Sequence, residues 1–467
     1  MPGPHGGLSD IDRLTNAAIS AAMAGDPSRF YGESPAIGYV GDPLVVHSDG
    51  VLRWKDGHAY DPPYSYTDDW NLWRGTIQGL VQPWEDMPSL GPFGDEVDAL
   101  SKTVDKLRPG VQTSGSGTHS GILGGGTLRD AINSVTEDLA GMDGQTIWAF
   151  RTRYADHLHT INEGQFALAF VVGQCVAAEQ SIWDKAQLDY YELVKQGTAA
   201  FLAARDYQIY GGGGGDFSTE LKVAGAILSL AGIFATGGAS TAISIGSFGV
   251  SLLQDFAPKG GAPKPTISGS SANEVLVSMS DALDKLRDEI QKQERAISEC
   301  LQANLRKVKG SPHLFDLSSP PIMGEDRPEA IGFKVDQSRM RLCGTKTCPR
   351  VAAGFKDAAS SAHGGFGSGP WMRPMYFGAM TGSYPSYAEL LGELEYAANN
   401  TAYEITEAGK LFALTADYFD DADGNAHEAL AKLHQLVKGY GVNYPVRPDE
   451  AEVPTGPRGM GGPVRAI

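Results

Sequence analysis

Apolar positions along this chain recur at spacings of three and four, the period of helices that bury one face. Trp70, Trp73, Ile77, Leu80 and Trp84 form one such stripe, and Val97, Leu100, Val104 and Leu107 form the next. Pro83, Pro88 and Pro92 interrupt the run, so Thr67 to Leu107 reads as two short helices with a bend. Pro109-Gly110 stops the second, and Val111 to Gly126 is a Gly/Ser loop. Leu128, Ile132, Val135 and Leu139 share one face of a helix over Thr127 to Met142. A long helix is then predicted from about Gln145 to Tyr207, on the order of 90 Å if unbroken. Phe166, Phe170, Trp183, Tyr190 and Leu193 mark its buried faces.

Ser271-Ala-Asn-Glu274 has the capping-box pattern and opens another helix. Its stripe of Leu276, Met279, Leu283, Leu286, Ile290, Ile297, Leu301 and Val308 is heptad-like, which predicts packing along a second helix. Val335 to Ala362 reads as a helix interrupted near Cys343 to Pro349, Gly364 to Pro370 as a turn, and Ser386 to Leu436 as a long helix. Leu391, Leu394, Ala398, Ile405, Ala408, Phe412, Thr415 and Phe419 form the stripe of the last. No strong β alternation occurs.

Between these lies the most apolar part of the chain. Lys222 to Phe256 has no charge between Lys222 and Asp255, and Gly237-Gly238 divides it into halves too short for a spanning helix, which needs about 20 apolar residues. One reading is a buried central hairpin. The other is a hairpin that inserts into a membrane after a trigger, with Gly225, Gly232, Ala239 and Gly246 allowing close helix contact in lipid.

The expected fold is therefore all-α: an elongated multi-helix bundle of long antiparallel hairpins, with a buried apolar hairpin and disordered termini. Residues 1–65 read as an extended leader with one short helix near Asp10 to Met23. A helical bundle spans 66–310, a Pro-rich linker 311–332, a second hairpin 333–438 and a disordered tail 439–467.

The charge narrows the partners. Lys and Arg total 38 against 56 Asp and Glu, a formal net charge of −18. Such an acidic chain is a poor electrostatic partner for nucleic acid, and none is expected. Met1 to Phe30 lacks a basic segment followed by an apolar one and carries Asp10, Asp12 and Asp26 instead, which argues against a Sec-type signal peptide. If the protein leaves the cell, another route carries it.

Motifs for chemistry are weak. His157 and His159 are two apart and face different sides of a helix. Placing Gly424 at the sixth position of a calcium loop puts Phe419 first and Leu430 twelfth, where carboxylates are required. None of the Gly runs continues as Gly-Lys-Ser/Thr, and no nucleophile elbow or zinc-protease motif occurs. No catalytic, cofactor or metal residue is assigned, and the chain reads as a non-enzyme. The four cysteines leave alternatives open. Cys343 and Cys348 suit a local disulfide, free thiols or two ligands of an incomplete zinc set. Cys175 and Cys300 either pair across the bundle or are small core residues.

The C-terminal third carries a resemblance. Phe333-Lys-Val-Asp336 leads into a helix, then a turn at Gly367-Ser-Gly-Pro-Trp371, then a long helix ending Ala416-Asp-Tyr-Phe-Asp-Asp-Ala-Asp423. This resembles the EspC-like helical hairpins exported by the ESX, or type VII, systems of actinobacteria. The resemblance implies an export signal of an aromatic residue followed four positions later by an acid. Phe419 and Asp423 keep that register, Tyr418 is one residue out of it, and Tyr403 with Glu407 fits it in mid-helix. Thr67 to about Arg205 resembles larger members of the same superfamily, whose two helices meet at a Trp-x-Gly turn. The matching turn here is Met142-Asp-Gly144, which keeps Gly but not Trp. The resemblance implies a secreted or envelope-associated protein that acts through protein contacts with the type VII machinery or a chaperone; the apolar stripes allow a second copy as partner, and 222–256, on its membrane reading, a membrane.

Overall fold

The computed structural model describes residues 7–25, 45–46, 52–53, 67–109, 126–210, 267–318, 334–367, 369–378 and 380–421. This part is all-α, being 86% helical. Extended pairing among the described residues amounts to a two-residue ladder, Val45–Val46 against Leu52–Arg53, and a bridge between Asp143 and Lys334. The helices are α1 (Gly7–Gly25), α2 (Thr67–Glu85), α3 (Gly91–Leu107), α4 (Thr127–Leu139), α5 (Gln145–Arg153), α6 (Leu158–Tyr210), α7 (Ala272–Gly310), α8 (Gln337–Leu342), α9 (Cys348–His363) and α10 (Tyr384–Asp421).

Helix α6 is the spine, 53 residues long and so roughly 80 Å at 1.5 Å per residue. Helices α1, α3 and α7 pack along it. The predicted helix from Gln145 to Tyr207 is broken near its start. Tyr154 leaves the helical region at φ −126°, ψ −64°, and a 3₁₀ turn over Ala155–His157 follows. The break satisfies its own polar groups: Tyr154 N–H donates to Phe150 O at 3.0 Å, and a His157 ring nitrogen meets Thr152 O at 2.9 Å. Gln145 to Ile209 is long and apolar enough to cross a membrane, yet 67% of its apolar window is buried in the bundle, as in a core helix.

Helix α7 starts as its sequence predicts, with one shift. Ser271 Oγ accepts from the Glu274 N–H at 3.3 Å. The Glu274 carboxylate accepts from the N–H and hydroxyl of Ser270, at 2.7 and 2.8 Å, one residue before the position a capping box uses. Met279, Leu283, Leu286, Ile290, Ile297, Leu301 and Val308 are buried along its stripe.

One core runs through the segments read as leader, bundle, linker and hairpin. Helix α1 belongs to it, with Leu14, Ala17, Ala18 and Ile19 fully buried, so the predicted leader contributes a core element. The predicted linker enters it too: Phe315 and Leu317 are buried, and Gln165 Nε2 donates to Phe315 O at 2.7 Å. Helices α9 and α10 pair as a hairpin, with α9 lying on α3 and α10 on α6 and α7. Burying the stripes of both hairpins against each other removes the apolar faces that either would expose alone.

Lys222 to Phe256, with Gly225, Gly232, Gly237, Gly238 and Gly246, lies outside the described residues, as do Asp423 and the predicted tail.

Candidate functional site

The α9–α10 connector carries the densest buried chemistry in the described fold. Gly-rich sequence after His363 ends α9, and short 3₁₀ turns form at Gly369–Trp371 and Met375–Phe377. The Arg373 N–H donates to Met380 O at 3.0 Å, which folds the connector back on itself. Gly382 has φ +50°, and a Cβ there would strike the Arg373 guanidinium, so conformation and space both require glycine. Three inward side chains, Trp371, Arg373 and Phe377, then enter the bundle.

Trp371 is fully buried. Its indole N–H donates to Glu96 Oε2 of α3 at 2.9 Å. Its ring stacks on Tyr387 at 4.9 Å and meets the edge of Phe93 at 5.3 Å. The Tyr387 hydroxyl donates to Gly365 O at 2.7 Å, tying the start of α10 to the end of α9. Burial pushes the Glu96 carboxyl up to about 8, against the opposing effect of the Trp371 hydrogen bond, so Glu96 is mostly protonated at neutral pH.

Arg373 is the second anchor, its side chain 1% exposed. It pairs with Glu294 of α7, with Nη2 to Oε2 at 2.6 Å, and with Glu179 of α6 at 3.5 Å. Glu179 also accepts from the Trp183 indole at 3.2 Å and from the Ser383 hydroxyl at 3.1 Å. The guanidinium lies 5.4 Å from the centre of the Trp183 ring. Burial pushes Glu294 well up, the Glu179 carboxylate adds to the push, and Arg373 opposes it. The guanidinium lies against both buried carboxyls and offsets part of their desolvation cost.

Phe377 completes the insertion, edge-on to Trp84 at 4.9 Å and to Trp183 at 5.3 Å. Trp84 stacks on Tyr190 at 5.7 Å, and Arg287 lies 5.1 Å over Tyr376. The connector thereby locks α2, α3, α6 and α7 to the C-terminal hairpin. This chemistry holds and positions elements and couples their packing to protonation. Outward from it, Met372, Met375 and Met380 are 37%, 76% and 48% exposed.

The sequence-predicted residues fall in several places. Trp371 is central to the lock, and a Cβ on Gly367 would come within 2.5 Å of Glu96 Oε1, whereas Gly369 faces open space. Met142-Asp-Gly144 does form a turn: Met142 is buried, Gly144 has φ +143°, and Asp143 exchanges backbone hydrogen bonds of 2.8 and 3.0 Å with Lys334. It lies apart from the connector, against the start of the C-terminal hairpin. Trp73 and Gly75 sit inside α2. Tyr418, half-buried, and Phe419 lie in the last turn of α10. His157 is engaged with Thr152 O, and burial lowers the His159 pKa. Among the described residues, no group of three His, Cys, Asp or Glu is arranged to hold a metal.

The cysteines are thiols and all are buried. Cys343 and Cys348 flank a π turn, Cys343–Thr347, with their Sγ atoms 3.8 Å apart. Cys175 on α6 and Cys300 on α7 face each other within hydrogen-bonding reach.

Arg373, Glu179, Glu294 and Glu96 carry no motif and escape a motif search. Their signal is positional. Glu294 fills the gap between Ile290 and Ile297 on the apolar stripe, and Glu96 falls between Phe93 and Leu100. An acid at a core position of an apolar stripe requires a partner. No protein-family model, curated protein or solved structure matches the chain.

Proposed function

We propose that the chain is an exported helical protein of the type VII class that works by binding other proteins at the envelope or outside the cell. The supporting observation is the C-terminal hairpin: α9 and α10 pair, with Trp371 in the connector between them, and α10 runs through Tyr418 and Phe419, two residues of the expected signal. Its outward face offers Met372, Met375 and Met380, flexible apolar side chains suited to protein contact. The partner is the export machinery or a dedicated chaperone. The test replaces Phe419 and Asp423 together by alanine. Secretion should stop while the circular dichroism spectrum and melting temperature stay unchanged; unchanged secretion would sink the assignment.

A second reading has its own support. The Gln208 side chain at the end of α6 donates to Ser270 O before α7 at 2.8 Å. The two described ends that flank this apolar stretch in sequence therefore lie side by side, a spacing that suits a hairpin carried on a helical body. Dye release from anionic and neutral vesicles, lost on Gly237→Lys with Ile243→Asp, would support insertion. No release between pH 4 and pH 8 would remove it.

A further inference from the structure

We propose that Cys175 and Cys300 form a disulfide that cross-links α6 to α7, alongside a second, local disulfide between Cys343 and Cys348. All four cysteines of the chain are used in two facing pairs, with none left over. Each pair has its own geometric device. Cys175 and Cys300 come from helices that pack side by side, both fully buried. Cys343 and Cys348 are five apart, a spacing that an ordinary helical turn would splay. The π turn corrects this: the Cys348 N–H bonds back to Cys343 O, and the sulfurs close to 3.8 Å. At 3.8 Å the sulfurs are in contact, short of the roughly 2.05 Å of a disulfide bond.

The reaction is thiol–disulfide exchange with a small-molecule disulfide of the glutathione type. The thiolate of one cysteine attacks the reagent's sulfur–sulfur bond and expels one glutathione thiolate, leaving a mixed disulfide. The partner thiolate attacks the protein sulfur of that mixed disulfide and expels the second. Two protein thiols are oxidised, one glutathione disulfide is reduced to two thiols, and the two protons pass to them. The facing thiol first, and burial second, hold Cys175 and Cys348 well above the ordinary thiol value. Little thiolate is therefore available in the closed fold, and exchange belongs to the stage before α6 and α7 dock. The resulting link ties α6 to α7 away from the ends at Gln208 and Ser270, which the Gln208 side chain joins by its hydrogen bond to Ser270 O. The oxidising setting comes from the export reading, and refolding in vitro separates the two ideas.

The full chain, reduced and unfolded, is refolded with a mixture of reduced and oxidised glutathione, alkylated under denaturing conditions and mapped by mass spectrometry. The expected product has no alkylated cysteine, a mass lower by four hydrogens, the linkages Cys175–Cys300 and Cys343–Cys348, and a raised urea midpoint. A Cys300→Ala chain should show Cys175 alkylated and the local link intact. Four alkylated cysteines, crossed linkages, or the local link alone would overturn the cross-helix bond. If the linkages form in vitro while the protein is never exported, the export reading fails and the pairing stands.

Discussion

Replacing Arg373 by methionine isolates what the buried triad contributes. Methionine keeps much of the apolar stem, so the cavity left is small and the change is chiefly one of charge. It leaves Glu179 and Glu294, 0% and 7% exposed in their side chains, facing each other without a cation. Removing one partner of a buried ion pair costs about 3–5 kcal/mol, because the remaining charge stays desolvated. Loss of the guanidinium from the Trp183 face adds about 0.5–2 kcal/mol. The expected destabilisation at pH 8 is therefore on the order of 4 kcal/mol or more. Its pH dependence has a definite sign. Arg373 opposes the upward push on Glu294, so without it the Glu294 carboxyl is held further up and the folded variant keeps its proton to higher pH than the folded parent does. The cost then shrinks toward acid pH by up to about 1.4 kcal/mol per unit. Urea unfolding at pH 5, 6.5 and 8, followed by far-ultraviolet circular dichroism and tryptophan fluorescence, measures both features. Adding Glu179→Gln to the variant should recover part of the loss, since it removes the stranded charge. A loss below about 1 kcal/mol at pH 8, or one that grows on acidification, would refute the triad as described.

Three further outcomes follow from the packing. Glu96 titrates at about 8 in the fold against 4.5 for the free group, so the folded chain holds a proton that the unfolded one releases. Stability from this site is full below pH 4.5 and is lost as pH rises through 8, by up to about 5 kcal/mol; Glu96→Gln should match the parent at pH 5 and exceed it in urea midpoint at pH 9. Ser271→Ala removes the side-chain cap of α7 and should cost about 1 kcal/mol in the same assay, with no change in its slope. Gly344→Ala places a Cβ against the Gly409 carbonyl and within 2.8 Å of Ala413 Cβ, so it should separate α10 from the π turn and lower the melting temperature by several degrees, as differential scanning calorimetry would record.

How far the fold was legible depends on which interactions are local. The stripes Ile77 to Trp84, Leu128 to Leu139 and Met279 to Val308 identify their helices because burial and the 3.6-residue period act on each segment independently. The Ser271 cap is local too, and its one-residue displacement toward Ser270 is a choice of partner within a single turn. The break at Tyr154 left little trace, because the flanking residues are ordinary helix formers and the surrounding packing decides the backbone there. Helix α1 was legible as a short helix but not as core, since its alanine-rich face, Ala17, Ala18, Ala21 and Ala22, shows its worth only against a neighbour. The candidate site was legible in part. Trp371 stood out through the Gly367-Ser-Gly-Pro-Trp371 turn, whereas Arg373 sits 79 residues from Glu294 and 194 from Glu179, so only folding brings them together. Glu96 and Glu294 were not singled out: each is an acid on an apolar stripe, and nothing local names Trp371 or Arg373 as its partner.

The most direct test of the functional account is immunoblotting of culture supernatant and cell lysate from the native host, with and without its type VII motor ATPase. The account predicts the full-length protein in the supernatant of the parent strain and its retention in the ATPase-deficient strain. Equal retention in both strains, or release that ignores the ATPase, would contradict it.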